Sequence, residues 1–171
     1  AFPNAGGFYG DAFFADTTQA AKEKGMHVQW TQNCCDEGSQ FFLTYGMKDA
    51  RNGKDIIVPV DAADRELCFI PADMAKKMYG TVEVVGKKIF FAEGAQSAEI
   101  AGVFEDYKHR DYNQPYPFAV RFPKGLVSIF GNLEYAIVFC LKDGVDAKRF
   151  ESRFMKEVAP QLKQGNYYLN R

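Results

Sequence analysis

Residues 105 to 111, Glu105-Asp106-Tyr107-Lys108-His109-Arg110-Asp111, are the densest run of ionisable side chains and hold one of the two histidines. Carboxylates beside an imidazole are the raw material of a divalent-metal or acid–base site. The spacing argues against both. Successive side chains of an extended segment leave on opposite faces, so Glu105 and Asp106 do not converge. Lys108 and Arg110 put positive charge where a cation would sit. The run is expected to be a solvated strand end, with Asp106 accepting hydrogen bonds from loop amides.

The cysteines give no stronger signal. Cys34, Cys35, Cys68 and Cys140 match no zinc spacing. Neither Cys34 nor Cys35 has a recognisable base and orienting group for nucleophilic catalysis. Adjacent cysteines rarely bridge each other, and Cys68 and Cys140 lie in apolar, strand-like runs where a small buried thiol is the usual state. Disulfide pairing among the four stays open. His27 alternates with Met26, Val28 and Trp30 and is expected to face solvent. The chain lacks G-x-S-x-G, H-E-x-x-H and a phosphate-binding glycine loop. No catalytic, metal or cofactor site is expected.

Composition narrows the field further. A net charge of −1 with dispersed Lys and Arg lacks the electrostatic footprint of a nucleic-acid binder. No apolar run approaches the 18 or so residues that span a bilayer. A chain of 171 residues supports its own core. Its sixteen Phe and nine Tyr are plentiful packing units, and the Phe13-Phe14 and Tyr167-Tyr168 pairs are candidates for an interface. Tyr107, Tyr112, Tyr116 and Phe118, interleaved with Pro115 and Pro117, form the best candidate contact surface. Capping one end of the core is an equal alternative for them.

The elements that would position these residues read as follows. Asp11 to Lys24 is alanine-rich and stops at Gly25, which predicts a helix. Met26 to Trp30 and Gln40 to Tyr45 are expected strands around a loop at 33–39, followed by Ile56 to Val60 and Glu66 to Ile70. Pro71 to Tyr79 is a helix closed by Gly80. Lys87 to Phe91 and Ala98 to Tyr107 pair through a turn at 93–97, and Phe118 to Phe122 adds a strand. Glu134 to Leu141, a turn at Asp143-Gly144, a helix capped by Asp146 and a strand at 166–170 make a terminal β-α-β unit. In that helix Phe150, Phe154, Val158 and Leu162 form one stripe, and Pro160 bends or shortens its end.

Two segments in the middle resemble a known family. Ala75-Lys76-Lys77-Met78-Tyr79-Gly80 followed by Val85-Gly86-Lys87-Lys88-Ile89 is similar to a helix ending A-K-K-[LM]-[FY]-G and a G-K-x-[IV] strand start. Ile100-Ala101-Gly102-Val103-Phe104-Glu105-Asp106-Tyr107 is similar to a V-x-G-V-[VF]-x-D-[FY] strand. Both resemble the MacB-like periplasmic core domain of FtsX/MacB-type ABC-transporter permeases, as does the strand and helix of 135–160. The likeness covers about residues 67–160. It departs at Pro71, where relatives tend to carry Asn, and it aligns no segment of the first 65 residues. Gly80 and Gly86 are expected to close the helix and start the strand, and Gly102 to allow a bulge or a close approach.

The resemblance implies one extracytoplasmic domain, 1–171, between the first and second transmembrane helices of a permease, on the periplasmic face of the inner membrane. ATP would be hydrolysed by a separate cytoplasmic domain or subunit, with a periplasmic adaptor and a homodimer of the full-length protein as further partners. Export, lipoprotein release or control of a cell-wall enzyme would follow from its movement. The expected fold class is α+β, a mixed β-sheet with two to three helices. The expected lobes are 1–40 plus 126–171 and 41–125, with both chain ends facing the membrane. The alternatives are a periplasmic ligand- or peptide-sensing domain with a pocket between lobes and a secreted enzyme, which needs a buried titratable cluster.

Overall fold

A computed structural model describes residues 9–32, 40–61, 65–106, 118–122 and 141–161. In chain order the first unit holds β1 (Tyr9–Phe13), α1 (Gln19–Glu23), β2 (Met26–Gln32), α2 (Phe41–Thr44), β3 (Leu67–Pro71), α3 (Ala72–Tyr79), β4 (Lys88–Phe91), β5 (Gln96–Phe104) and β6 (Phe118–Phe122). The six strands form one mixed sheet ordered β1-β2-β6-β3-β5-β4. β2–β6 and β3–β5 are parallel, whereas β1–β2, β3–β6 and β4–β5 are antiparallel. The architecture is α+β.

β3 explains how the sheet is covered. Leu67-Cys68-Phe69-Ile70-Pro71 is buried at every position, as expected of a strand packed on both faces. Cys68 and Ile70 face one cluster with Phe13, Val28, Met74, Ala75, Ile89, Ile100 and Val103. Leu67 and Phe69 face a second cluster with Phe41, Phe42, Met47, Ile56, Val58, Phe104 and Val120. α3 covers the first face. α2 and the segment 47–58 cover the second.

Four expectations are corrected here. The helix expected over Asp11 to Lys24 is a strand in its first part, because Phe13 is fully buried and β1 pairs with β2 from Tyr9↔Trp30 to Phe13↔Met26. Tertiary pairing overrides alanine's helix propensity. Only Gln19–Glu23 is helical, started by Thr18, whose hydroxyl accepts the Ala21 N–H at 3.2 Å. Phe13 and Phe14 are both buried, so that pair belongs to the core and not to an interface.

The strand expected over Gln40 to Tyr45 is the single helical turn α2, with Thr44 and Tyr45 N–H bonded to the Gln40 and Phe41 carbonyls. A strand would send Phe41 and Phe42 to opposite faces. The turn puts both rings in one cluster, edge-on at 5.3 Å. Residues 56–60 alternate as a strand should, with Ile56 and Val58 buried and Ile57 and Val60 exposed, but they join no ladder among the described residues. Pro59 has no N–H to contribute to one.

Other elements match their expected places. β3, β4, β5 and β6 lie where strands are expected, and His27 is exposed. Cys68 is fully buried, as its apolar run predicts. Cys34, Cys35 and Cys140, the loop at 33–39, most of the strand at 134–141, Tyr167-Tyr168 and the strand at 166–170 lie outside the described residues. β1 and β2 share the sheet of β3 to β6. The described residues 9–122 fall in one compact unit and 141–161 in another.

The second unit, taken by itself, contains the turn at Asp143-Gly144 and α4 (Ala147–Arg153). Asp146 caps α4 by accepting from Lys148 and Arg149 N–H. The helix then widens into a π turn at Phe154–Val158 and tightens into a 3₁₀ turn at Ala159–Gln161. Pro160 lacks the N–H that regular α geometry would use there. Phe150 and Phe154 stack at 6.1 Å, as their spacing of four predicts.

The sheet's outer edge is closed at one corner. Phe14 and Phe90 exchange both backbone bonds, at 2.8 and 2.9 Å, across an isolated bridge from the end of β1 to β4. The Tyr79 hydroxyl donates to the Lys88 carbonyl at 3.0 Å. β4 thus offers little unpaired backbone for strand addition.

Candidate functional site

The motif residues are spread along α3 and β5: Asp106 lies just beyond β5 at the start of α3, Gly80 ends α3, Gly86 sits beside Ile100 and Gly102 lies within β5. α3 begins at Pro71, which adopts the extended N-cap conformation but has no side-chain acceptor. Asp106, just beyond β5, fills that role from 33 residues away: its Oδ1 accepts the Asp73 N–H at 2.8 Å. An asparagine at 71 would cap the helix from its own side chain. Here a carboxylate from the neighbouring strand does so, and it also faces the positive end of the helix dipole. Asp106→Ala should cost about 0.5–2 kcal/mol, read from the thermal unfolding midpoint. Asp106→Asn, which keeps an acceptor oxygen, should recover part of it.

Gly80 ends α3 with φ 76° and returns its N–H to the Lys76 carbonyl at 2.9 Å. Any L side chain there is strained although space is free. Gly80→Ala should therefore lose about 1–2 kcal/mol, measured by urea unfolding. Gly86, with φ 85°, donates to the Ile100 carbonyl at 2.8 Å and so sets β4 beside β5. Gly102 sits at a register shift: Cys68 pairs with Ile100, but Phe69 pairs with Gly102, which leaves Ala101 as the extra residue of a bulge. A Cβ on Gly102 would lie 2.7 Å from Phe69 Cδ1. Gly102 serves both the bulge and a close approach.

One charged group of this region escapes sequence reading. Asp49 is the single buried polar or charged residue among the described residues. Its carboxylate accepts from Arg51 Nε, Arg51 Nη2 and the Arg51 N–H. The loop around it adds to the far half of β5, with Ala50 N–H donating to Val103 and Glu105 N–H to Lys48. The local signal was Asn52-Gly53, a turn pair between Lys48 and Asp55, which form an ion pair. Hydrogen bonds from the Arg51 side chain hold Asp49 below the usual carboxylate range, against the opposing effect of burial. A depressed folded-state pKa adds stability above the unfolded value, lost as pH falls through the folded value. Arg51→Gln should thus narrow the gap in urea midpoint between pH 7 and pH 3.

Of the proposed contact residues, Tyr107, Tyr112 and Tyr116 lie outside the described residues. Phe118 opens β6 opposite Gln29, between β2 and β3 in the sheet. The most exposed large apolar side chains among the described residues are Ile57, at 82%, and Val60, at 75%. Also among the described residues, no group of three or more His, Cys, Asp or Glu is placed to hold a metal. None of their helices is long and apolar enough to cross a membrane.

Comparison with solved structures decides the fold. The periplasmic region of MacB from Actinobacillus actinomycetemcomitans matches over 89% of this chain and 63% of that one, with a TM-score of 0.54 and 12% identity. The chain has the MacB periplasmic fold. The extracellular domain of the noncanonic ABC-type transporter YknZ from Gram-positive bacteria matches over 68% of this chain and 51% of that one, with a TM-score of 0.45 and 13% identity. The chain therefore spans less than two thirds of either structure. No family model and no curated protein matches the sequence. In this MacB-like chain, Ala75–Gly80 closes α3, Gly86 leads into β4 and Gly102 lies in β5, the places the resemblance implies.

Proposed function

We propose that this chain is the extracytoplasmic domain of an ABC-transporter permease of the FtsX/MacB type, on the periplasmic face of the inner membrane. In this reading it is a non-enzymatic module that couples ATP hydrolysis on a cytoplasmic partner to periplasmic events through conformational change and partner binding. Export, lipoprotein release and control of a cell-wall enzyme are the events such a module serves. A periplasmic adaptor and a second copy of the full-length protein are its further partners.

The observation that carries this reading is the MacB periplasmic fold, with the motif residues Gly80, Gly86, Gly102 and Asp106 each performing a structural task within it. Those tasks hold a helix against a sheet, as a force-transmitting module requires, and none needs a reactive group. The test is topology mapping of the full reading frame by cysteine accessibility, with ATPase assays of the purified complex. Four membrane spans, this segment outside between the first two, and a copurifying ATPase are expected. A secreted reading frame without spans would overturn the assignment.

A further inference from the structure

The corner where β1 meets β4 is held differently from the rest of the sheet. One step beyond the Phe14–Phe90 bridge the link is a side chain: Asp11 Oδ2 accepts the Ala92 N–H at 3.1 Å. Asp11 Oδ1 accepts the Ala12 N–H at 2.7 Å, which fixes the carboxylate on β1. Ala92 opens the turn between β4 and β5, where Ala92, Glu93 and Gly94 have φ of 50°, 57° and 91°. Only the last is glycine. Ala92 and Glu93 are the two non-glycine residues with positive φ among the described residues. Such backbone persists only where its surroundings hold it. The turn also lies against the segment between β1 and α1, since a Cβ on Gly94 would sit 3.5 Å from Thr17 Cγ2.

We propose that the β1–β4 seam is a strained latch, in which Asp11 holds Ala92 and Glu93 in left-handed conformation while β1 is docked. Undocking β1 removes the acceptor of the Ala92 N–H and the bridge at Phe90 together, so the turn relaxes as the strand leaves. Displacement of the N-terminal strand and the shape of the β4–β5 turn are then one conformational variable. Phe13 and Phe91, buried with ring centroids 5.5 Å apart, oppose opening and keep the open form a minority in the free chain. The inference concerns this chain alone and does not rest on the permease reading.

Amide hydrogen exchange on the 171-residue chain tests it, since exchange reports the population of each local opening. Asp11→Ala should speed exchange at Phe14 and Phe90 about tenfold while leaving the amides of β3 unchanged. Ala92→Gly removes strain from the docked form alone and should slow the same two amides about threefold. Should Asp11→Ala not fold, Asp11→Asn, which keeps one acceptor oxygen, carries the same test with a smaller acceleration. Unchanged seam amides in the Asp11 variant, or equal acceleration in β3, would overturn the latch. So would Ala92→Gly exchanging at the parent rate or faster.

Discussion

Gly102→Ala is expected to lower the unfolding free energy by about 1–3 kcal/mol, and Phe69→Leu in the same chain to restore part of that loss. The added methyl would sit 2.7 and 2.9 Å from Phe69 Cδ1 and Cε1. Phe69 has little room to give, because it is 1% exposed and its ring lies 4.7 Å from that of Phe42. Gly102 is not in left-handed backbone, so alanine suits its conformation, and by entropy alone it would stabilise. Any loss therefore reports the collision. Urea unfolding of the parent, both single variants and the double variant gives the coupling between the two sites, expected to exceed about 0.5 kcal/mol. A Gly102→Ala chain as stable as its parent would refute the close approach.

Phe42→Ala should have a larger effect, about 3–5 kcal/mol, the range for removing a large buried ring from a packed core. Phe42 is fully buried, with Phe69 at 4.7 Å and Phe104 at 5.7 Å between ring centroids. It ties the one-turn helix α2 to the second face of the sheet. So short a helix does not hold by its own hydrogen bonds. Loss of the ring should loosen α2 as well as leave a cavity. The check is a shift of the denaturant midpoint, set against Ile57→Asp, a change at an 82% exposed site expected to stay within about 0.5 kcal/mol.

How much of this was legible in the sequence depended on whether local and tertiary forces agreed. α3 could be read because proline before it, apolar Met74 and Ala75 on one face and Gly80 after it point the same way. Asp146 and the Phe150–Phe154 stripe were readable for the same reason. Ala12 and Ala15 favoured a helix where pairing with β2 makes a strand as far as Phe13. Phe41-Phe42 looked β-prone where one cluster needed both rings. In both segments the deciding partner is far away in sequence. The role of Asp106 was half legible: a strand-end carboxylate seeking amides is a local inference, but the amide it finds belongs to Asp73. Asp49–Arg51 was missed because two charges with a spacing of two ordinarily mean a solvated turn.

The unpaired Ala101 has a consequence for how this chain tolerates changes in length. Along β5, Ala98 and Ile100 face the first cluster, and beyond the bulge so does Val103, while Phe104 faces the second. One supernumerary residue has switched the parity of the strand. Deleting Ala101 would restore an uninterrupted two-residue repeat in which Val103 stands two places after Ile100, so Val103 and Phe104 keep their present sides of the sheet. That residue could be lost with the inward set intact. A single deletion elsewhere in β5 would carry everything beyond it to the other side, which makes position 101 the place where natural variation should tolerate a one-residue deletion.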